Sequence, residues 1–255
     1  MEFYKYQGTG NDFVMIDNRP GEWDSLSVSD IQKLCDRRFG IGADGLIKIN
    51  TAEGFDFEVD YYNSDGSKSF CGNGARCSVA FASFLSIFED SCRFNAIDGA
   101  HEAEINGDIV KLKMADVETV SYDGENTVMN TGSPHFVQYV QNLAGFPVFE
   151  KGKEIRNSPR YSEKGINVNF VEPLADDALF VRTYERGVED ETYSCGTGVT
   201  ASALTFMQNH DLTSVQVKTL GGNLRVYAEK KASSYCNIWL EGPAQQVFKG
   251  KIDLF

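Results

Sequence analysis

Cys71-Gly72-Asn73-Gly74, running into an apolar stretch over residues 75–88, recurs 124 residues downstream as Cys195-Gly196-Thr197-Gly198 running into residues 199–208. In the first stretch Cys77, Val79, Phe81, Phe84 and Phe88 occupy nearly every face of a helix. A helix apolar all round belongs at the centre of a domain. Working outward, alternating stretches at 3–7, 13–17, 46–49 and 57–62 predict strands, and 29–38 predicts a helix capped by Ser29. Asp98-Gly99 and Asn106-Gly107 mark tight hairpins after the first apolar helix. The second half repeats the order, with strands near 167–172 and 178–184 before Cys195 and a hairpin around Gly221-Gly222 after it. Such a duplication predicts two pseudo-symmetric α/β (α+β) domains sharing a cleft, over residues 1–117 and 118–246. The boundary is set by the acidic, turn-forming residues 116–123, and residues 247–255 are expected to rejoin the first domain.

A cysteine directly before a glycine-rich helix start sits where unpaired backbone N–H groups and the positive end of the helix dipole converge. Thiolate is favoured there, below the usual thiol value of about 8.5. The same N–H groups hold a carboxylate, and the glycines let it approach. Two such turns facing one carbon define a reaction without a cofactor: a thiolate takes the α-proton from one face and a thiol returns a proton to the other. The pattern alone fits a duplicated structural turn equally well, and a non-catalytic small-anion binding protein would use the same helix starts.

The remaining features have plainer readings. Cys35, Cys77, Cys92 and Cys236 read as small apolar core residues. The interval from Cys71 to Cys77 and a set of only three histidines, His101, His135 and His210, do not suit zinc, so no metal is expected. Gly8-Thr9-Gly10-Asn11-Asp12 could cradle a phosphate but lacks the lysine of a phosphate-binding loop. His135 reads as a structural hydrogen-bonding residue or a base, and Glu185-Arg186 as a solvated pair or a ligand clamp. With 255 residues, 42% of them hydrophobic, the chain can bury a sizeable core. A net charge of −13 argues against nucleic acid or an anionic membrane as partner, and no apolar run approaches eighteen residues. Six cysteines without a pairing pattern, and a start at Met1-Glu2-Phe3 without a basic-then-apolar leader, predict a cytoplasmic protein.

Taken in order, Tyr6-Gln7-Gly8-Thr9-Gly10-Asn11-Asp12-Phe13, Asn63-Ser64-Asp65-Gly66, Cys71-Gly72-Asn73-Gly74-Ala75-Arg76, Pro134-His135, Asn167-Val168-Asn169-Phe170, Glu185-Arg186-Gly187 and Cys195-Gly196-Thr197-Gly198 form a set that resembles the diaminopimelate epimerases. The resemblance runs from the N-terminus to beyond residue 200. It implies mixed, mainly antiparallel strands wrapped around a central helix in each domain, with the active site in the cleft. The implied reaction is interconversion of LL- and meso-2,6-diaminoheptanedioate, serving lysine and peptidoglycan synthesis, in a homodimer and without cofactor. Cys71 and Cys195 become the base and acid, with His135 and Glu185 beside them. Asn11, Asn63, Asn167, Glu185 and Arg186 hold the distal, unreacting centre, while Gly72, Asn73, Gly74, Gly196 and Thr197 bind the reacting carboxylate. A zwitterionic distal end suits Arg186 for its carboxylate and Glu185 for its ammonium. A proline or hydroxyproline racemase would share the two cysteines yet have no use for that clamp. Two departures stand out. Gly132-Ser133-Pro134-His135 replaces the family's Gly-Asn-Pro-His, leaving a shorter hydroxyl that reaches substrate through a water. The link to Cys195 through residues 188–192 is one residue longer, which predicts a bulged loop.

Overall fold

Alternating stretches become strands and the two apolar stretches become buried helices, in two units of like build. The computed structural model describes residues 1–232 and 234–253. The chain divides into Met1–Leu112 joined by the chain from Gly242 on, and Lys113–Glu241. The first unit contains β1 (Glu2–Gly8), β2 (Asn11–Asp17), α1 (Val28–Cys35), β3 (Gly45–Asn50), β4 (Phe57–Asn63), α2 (Gly72–Phe84), β5 (Ser91–Ala96), β6 (Gly99–Asn106) and β7 (Ile109–Lys113). The second contains β8 (Val120–Asp123), β9 (Asn126–Asn130), β10 (Pro134–Tyr139), α3 (Val148–Arg156), β11 (Asn167–Ala175), β12 (Ala178–Glu185), β13 (Asp190–Thr192), α4 (Gly196–Met207), β14 (Ser214–Lys218), β15 (Asn223–Lys231) and β16 (Ser234–Pro243). The last strand, β17 (Gln245–Lys251), pairs with β1.

Strand senses expose the duplication. Across β17–β1–β2–β3–β4–β5–β6–β7 the pairings run antiparallel, antiparallel, parallel, antiparallel, parallel, antiparallel, antiparallel. Across β8–β9–β10–β11–β12–β14–β15–β16 the same order of senses recurs. In the first unit β17, from the far end of the chain, takes the place that β8 has in the second.

Each sheet wraps a helix. α2 packs against β1 to β4, β6 and β17, and α4 against β9 to β12, β14 and β15. Val79 and Phe81 in α2, and Val199 and Leu204 in α4, are fully buried, each contributing about 1.5–3 kcal/mol. The polar residues inside these helices need partners where water is absent. Ser78, Thr200, Ser202 and Thr205 donate to the carbonyls of Gly74, Gly196, Gly198 and Ala201 at 2.8, 3.0, 2.8 and 2.8 Å.

Several boundaries differ from the expectation, each for a local reason. Both central helices start a turn earlier, at Gly72 and Gly196. Glycine is tolerated there because first-turn N–H groups have no intrahelical partner in any case. α2 ends at Phe84, with Ser86 in the left-handed region at φ +57°. Ser27, rather than Ser29, caps α1 through a reciprocal pair with Asp30. That helix stops at Cys35, where the Asp36 carboxylate accepts from the N–H groups of Arg38 and Phe39 at 2.7 Å each. The hairpin turns centre on Ile97-Asp98 and Gly107-Asp108, one residue from the predicted dipeptides. Residues 120–123, inside the expected linker, form β8, and both divisions between units fall a few residues earlier in sequence than expected. Cys236 is half-exposed on β16, opposite in strand phase to buried Tyr235.

Candidate active site

In each unit the sequence-predicted residues gather at one end of the sheet, around the start of the central helix. Asn11 opens β2, Asn63 closes β4 and Cys71 caps α2; in the second unit His135 lies near the start of β10, Asn167 opens β11, Glu185 closes β12 and Cys195 caps α4. Both cysteines have extended backbone, φ −132° and −117°, and their carbonyls accept the first helical bonds from Ala75 and Val199 at 2.7 and 2.8 Å.

Around Cys71 the hydrogen bonds have a fixed polarity. Asn11 donates its Nδ2 to Asp44 Oδ2 at 2.5 Å, which turns its Oδ1 toward α2. That oxygen accepts from Cys71 Sγ and from Asn73 Nδ2, both at 3.4 Å. The Gly74 N–H points at the same sulfur from 3.5 Å. Asn63 is engaged locally: its Nδ2 donates to Ser67 and Ser69, and its Oδ1 accepts from Tyr61 at 2.8 Å. It braces the turn that leads into Cys71. Gly8-Thr9-Gly10 is a hairpin turn, with Gly8 opposite Asn11 and Thr9 and Gly10 at φ +50° and +85°.

Around Cys195 a chain of bonds fixes the histidine tautomer. Thr183 Oγ1 donates to Asn169 Oδ1 at 2.9 Å, and Asn169 Nδ2 donates to the Phe136 carbonyl at 3.0 Å and to His135 Nδ1 at 3.1 Å. With Nδ1 accepting, the proton of a neutral ring lies on Nε2. Nε2 faces Thr197 Oγ1 at 2.9 Å and Ser133 Oγ at 3.0 Å. The Thr197 hydroxyl, thus supplied with a donor, has its own proton for Cys195 Sγ at 3.5 Å. Ser133 Oγ also accepts from Asn167 Nδ2 at 2.9 Å, and Asn167 Oδ1 accepts from the Arg186 N–H at 2.8 Å. The serine that stands for the family's asparagine is therefore built into this network. Glu185 accepts from Thr192 at 2.9 Å, and Arg186 donates Nη1 to the Lys164 carbonyl at 3.0 Å. The longer link is not a bulge but a hairpin: β13 pairs with β12, and Glu189 absorbs the turn at φ +57°.

Burial silences three of the other thiols. It pushes Cys35, Cys77 and Cys92 up to about 12, which leaves them inert. Burial, reinforced by the Arg186 charge, pushes His135 down to about 3. The folded value lies below the unfolded value of about 6.5, so the unfolded chain binds the proton first. The stability this contributes is complete above about pH 6.5 and is lost as pH falls toward 3. In ¹⁵N-histidine NMR, His135 is expected to remain the Nε2–H tautomer without titrating between about pH 5 and 9. A titration step near 6.5 for this ring would refute the assignment.

Sequence reasoning missed Asp44, Asn169 and Thr183. Asn169 carried a signal, since it lies two residues from Asn167 and strand alternation puts both on one face. Asp44 and Thr183 carried none, because only tertiary folding brings them to Asn11 and Asn169. Among the described residues, no group of three or more His, Cys, Asp or Glu is placed to hold a metal ion, and no helix is long and apolar enough to cross a membrane.

Known proteins resemble this chain at two levels. A phenazine biosynthesis protein of the PhzF family from Bacillus anthracis has a similar fold, with a TM-score of 0.75 at 14% identity, covering 99% of this chain and 98% of that one. Diaminopimelate epimerase of Flavobacterium psychrophilum is 49% identical over 256 residues, covering 99% of this chain and all of that protein. The diaminopimelate epimerase of Chlorobaculum tepidum is 42% identical, covering 97% and 99%. Residues 3–120 and 127–247, which carry both cysteine-capped helices and nearly all of both sheets, match the diaminopimelate epimerase family, and the chain belongs to that family.

Proposed function

We propose that this isomerase interconverts LL- and meso-2,6-diaminoheptanedioate by a two-thiol mechanism without cofactor. The observation that carries the reading is the duplicated cysteine cap: in two units with the same order of strand senses, a cysteine stands at the start of a buried central helix. In the forward direction one sulfur, as thiolate, takes the α-proton and becomes a thiol. The electron pair left on the α-carbon delocalises into the carboxylate, and the other thiol delivers its proton to the opposite face and becomes a thiolate. The two cysteines end with exchanged protonation states, and the reverse reaction starts from there.

The first-turn N–H groups of Gly72, Asn73 and Gly74, and of Gly196 and Thr197, hold the reacting carboxylate and stabilise its growing charge. His135 stays neutral and acts through Thr197, whose hydroxyl proton favours thiolate at Cys195. Arg186 and Glu185 hold the distal carboxylate and ammonium, with Asn11, Asn63 and Asn167. For Asn63 this requires exchanging a bond within its turn for one to substrate. The proposal includes a homodimer in the cytoplasm, supported by the family resemblance and the cysteine usage. In deuterated water, LL-diaminopimelate is expected to become meso with one deuterium at the inverted carbon, read by mass spectrometry and chiral chromatography. Absence of both inversion and exchange would reject the reading.

A further inference from the structure

Arg76 is the largest fully buried side chain among the described residues, at 0% exposure. It lies on α2, five residues after Cys71. Its Nη2 donates to Thr9 Oγ1 at 3.0 Å and to Asn73 Oδ1 at 3.1 Å, while Nε and Nη1 have no hydrogen-bond partner among the described residues. Nor does any Asp or Glu among them form an ion pair with it. The charged groups of the strands packed on α2 do not compensate it. Asp12 at the head of β2 is held by Lys5 and by Arg37, at 2.6 and 2.7 Å, and Tyr6 of β1 and Cys77 of α2 are pushed toward their neutral forms by burial. A guanidinium does not discharge by losing its proton. A buried charge without a counter-charge is a large cost to the fold.

Its surroundings are built to keep it there. Thr9, a β-branched residue, is held at φ +50° with 1% exposure, a strained state for such a side chain, and its hydroxyl meets Arg76. Gly8 leaves room: a Cβ there would lie 3.5 Å from Arg76 Nη2 and 3.2 Å from Cys77 Sγ. By engaging Asn73 Oδ1, Arg76 also turns the Asn73 amide nitrogen toward Asn11 Oδ1, the oxygen that accepts from Cys71.

We infer that Arg76 is a positioning residue: a resident cation behind the first turn of α2 that favours anionic sulfur at Cys71 and, through Asn73 Oδ1, holds the Asn73 amide on the Asn11 oxygen beside that sulfur. The inference rests on the proposed function only for the part that thiolate plays in turnover. Its anion is supplied by the thiolate during turnover, so the cost in the resting fold becomes stabilisation when Cys71 has lost its proton. Burial pulls Arg76 below its ordinary value, and negative charge on Cys77 and on Cys71 opposes that.

The test is the pH dependence of iodoacetamide alkylation, with the Cys71 and Cys195 peptides quantified separately, in Arg76→Gln and Arg76→Lys. Arg76→Gln is expected to raise the Cys71 midpoint by about one pH unit, to leave that of Cys195 in place, and to keep or raise Tm, because it removes a buried unpaired charge. Arg76→Lys is expected to restore the Cys71 midpoint while raising KM, since the shorter lysine side chain cannot place its nitrogen where Nη2 meets both Thr9 and Asn73. An unmoved Cys71 midpoint, equal shifts at both cysteines, or a lowered Tm in Arg76→Gln would overturn the inference. If Arg76→Gln does not fold, Arg76→Lys decides: a retained midpoint with raised KM supports it, and any other combination overturns it. Alkylation needs no turnover, so failure here is distinct from failure of the deuterium test.

Discussion

Cys71→Ala and Cys195→Ala are each expected to lower epimerisation by about 10³-fold, with both variants folded. In the proposed mechanism inversion needs a proton acceptor on one face and a donor on the other, each supplied by one sulfur. A finer result separates two thiols from a single base. Each variant keeps one sulfur whose proton exchanges with solvent, so each should still wash deuterium, with retention of configuration, into one isomer only. The isomer labelled by Cys71→Ala should be the one left unlabelled by Cys195→Ala. Labelling of the same isomer by both, or full inversion by either, contradicts the mechanism. The structural costs also differ. The Cys71 sulfur caps its helix by accepting from Gly74 N, and loss of a cap costs about 1 kcal/mol. Cys195 sulfur is engaged by the Thr197 hydroxyl instead. Cys71→Ala should therefore lower Tm more than Cys195→Ala, a difference unrelated to catalysis.

How much of this was legible from the chain depends on whether the cause was local. The cysteine-led glycine turns carry their own physics, because a helix start is polar wherever it sits, and the period of the apolar residues marks a buried helix. The strands read from alternation lie within a residue or two of those observed, except β11, which runs three residues further, to Ala175. The helix starts were misplaced because glycine reads as a breaker, although in a first turn it breaks nothing. The polarity of the site was illegible. Asn11 presents its oxygen only because Asp44, 33 residues on, takes its nitrogen, and His135 presents a proton only because Asn169 is fixed by Thr183. Arg76 was printed in the motif itself, as the one charged residue of α2. Its lack of an acidic partner became visible only with the strands around it.

The second large effect concerns the final glycines of the two turns, alike in sequence but not in surroundings. A Cβ on Gly198 would lie 2.2 Å from Asn169 Oδ1, 3.3 Å from its Cγ and 3.4 Å from His135 Cε1. Asn169 cannot retreat, being fully buried and bonded to Thr183, Phe136 and His135. A Cβ on Gly74 would meet Ile47 Cδ1 at 3.2 Å, the far end of a flexible side chain. Gly198→Ala is thus expected to cost about 1–3 kcal/mol in overpacking and to lower kcat about 10²-fold through misplacement of the His135–Thr197 pair. Gly74→Ala should cost under about 1.5 kcal/mol and change kcat far less. Adding Asn169→Ala to Gly198→Ala relieves the clash but leaves His135 Nδ1 without its donor, so Tm should recover in part while kcat does not. Such a split is what a bond that sets polarity predicts; if kcat recovered along with Tm, Asn169 would be packing and nothing more.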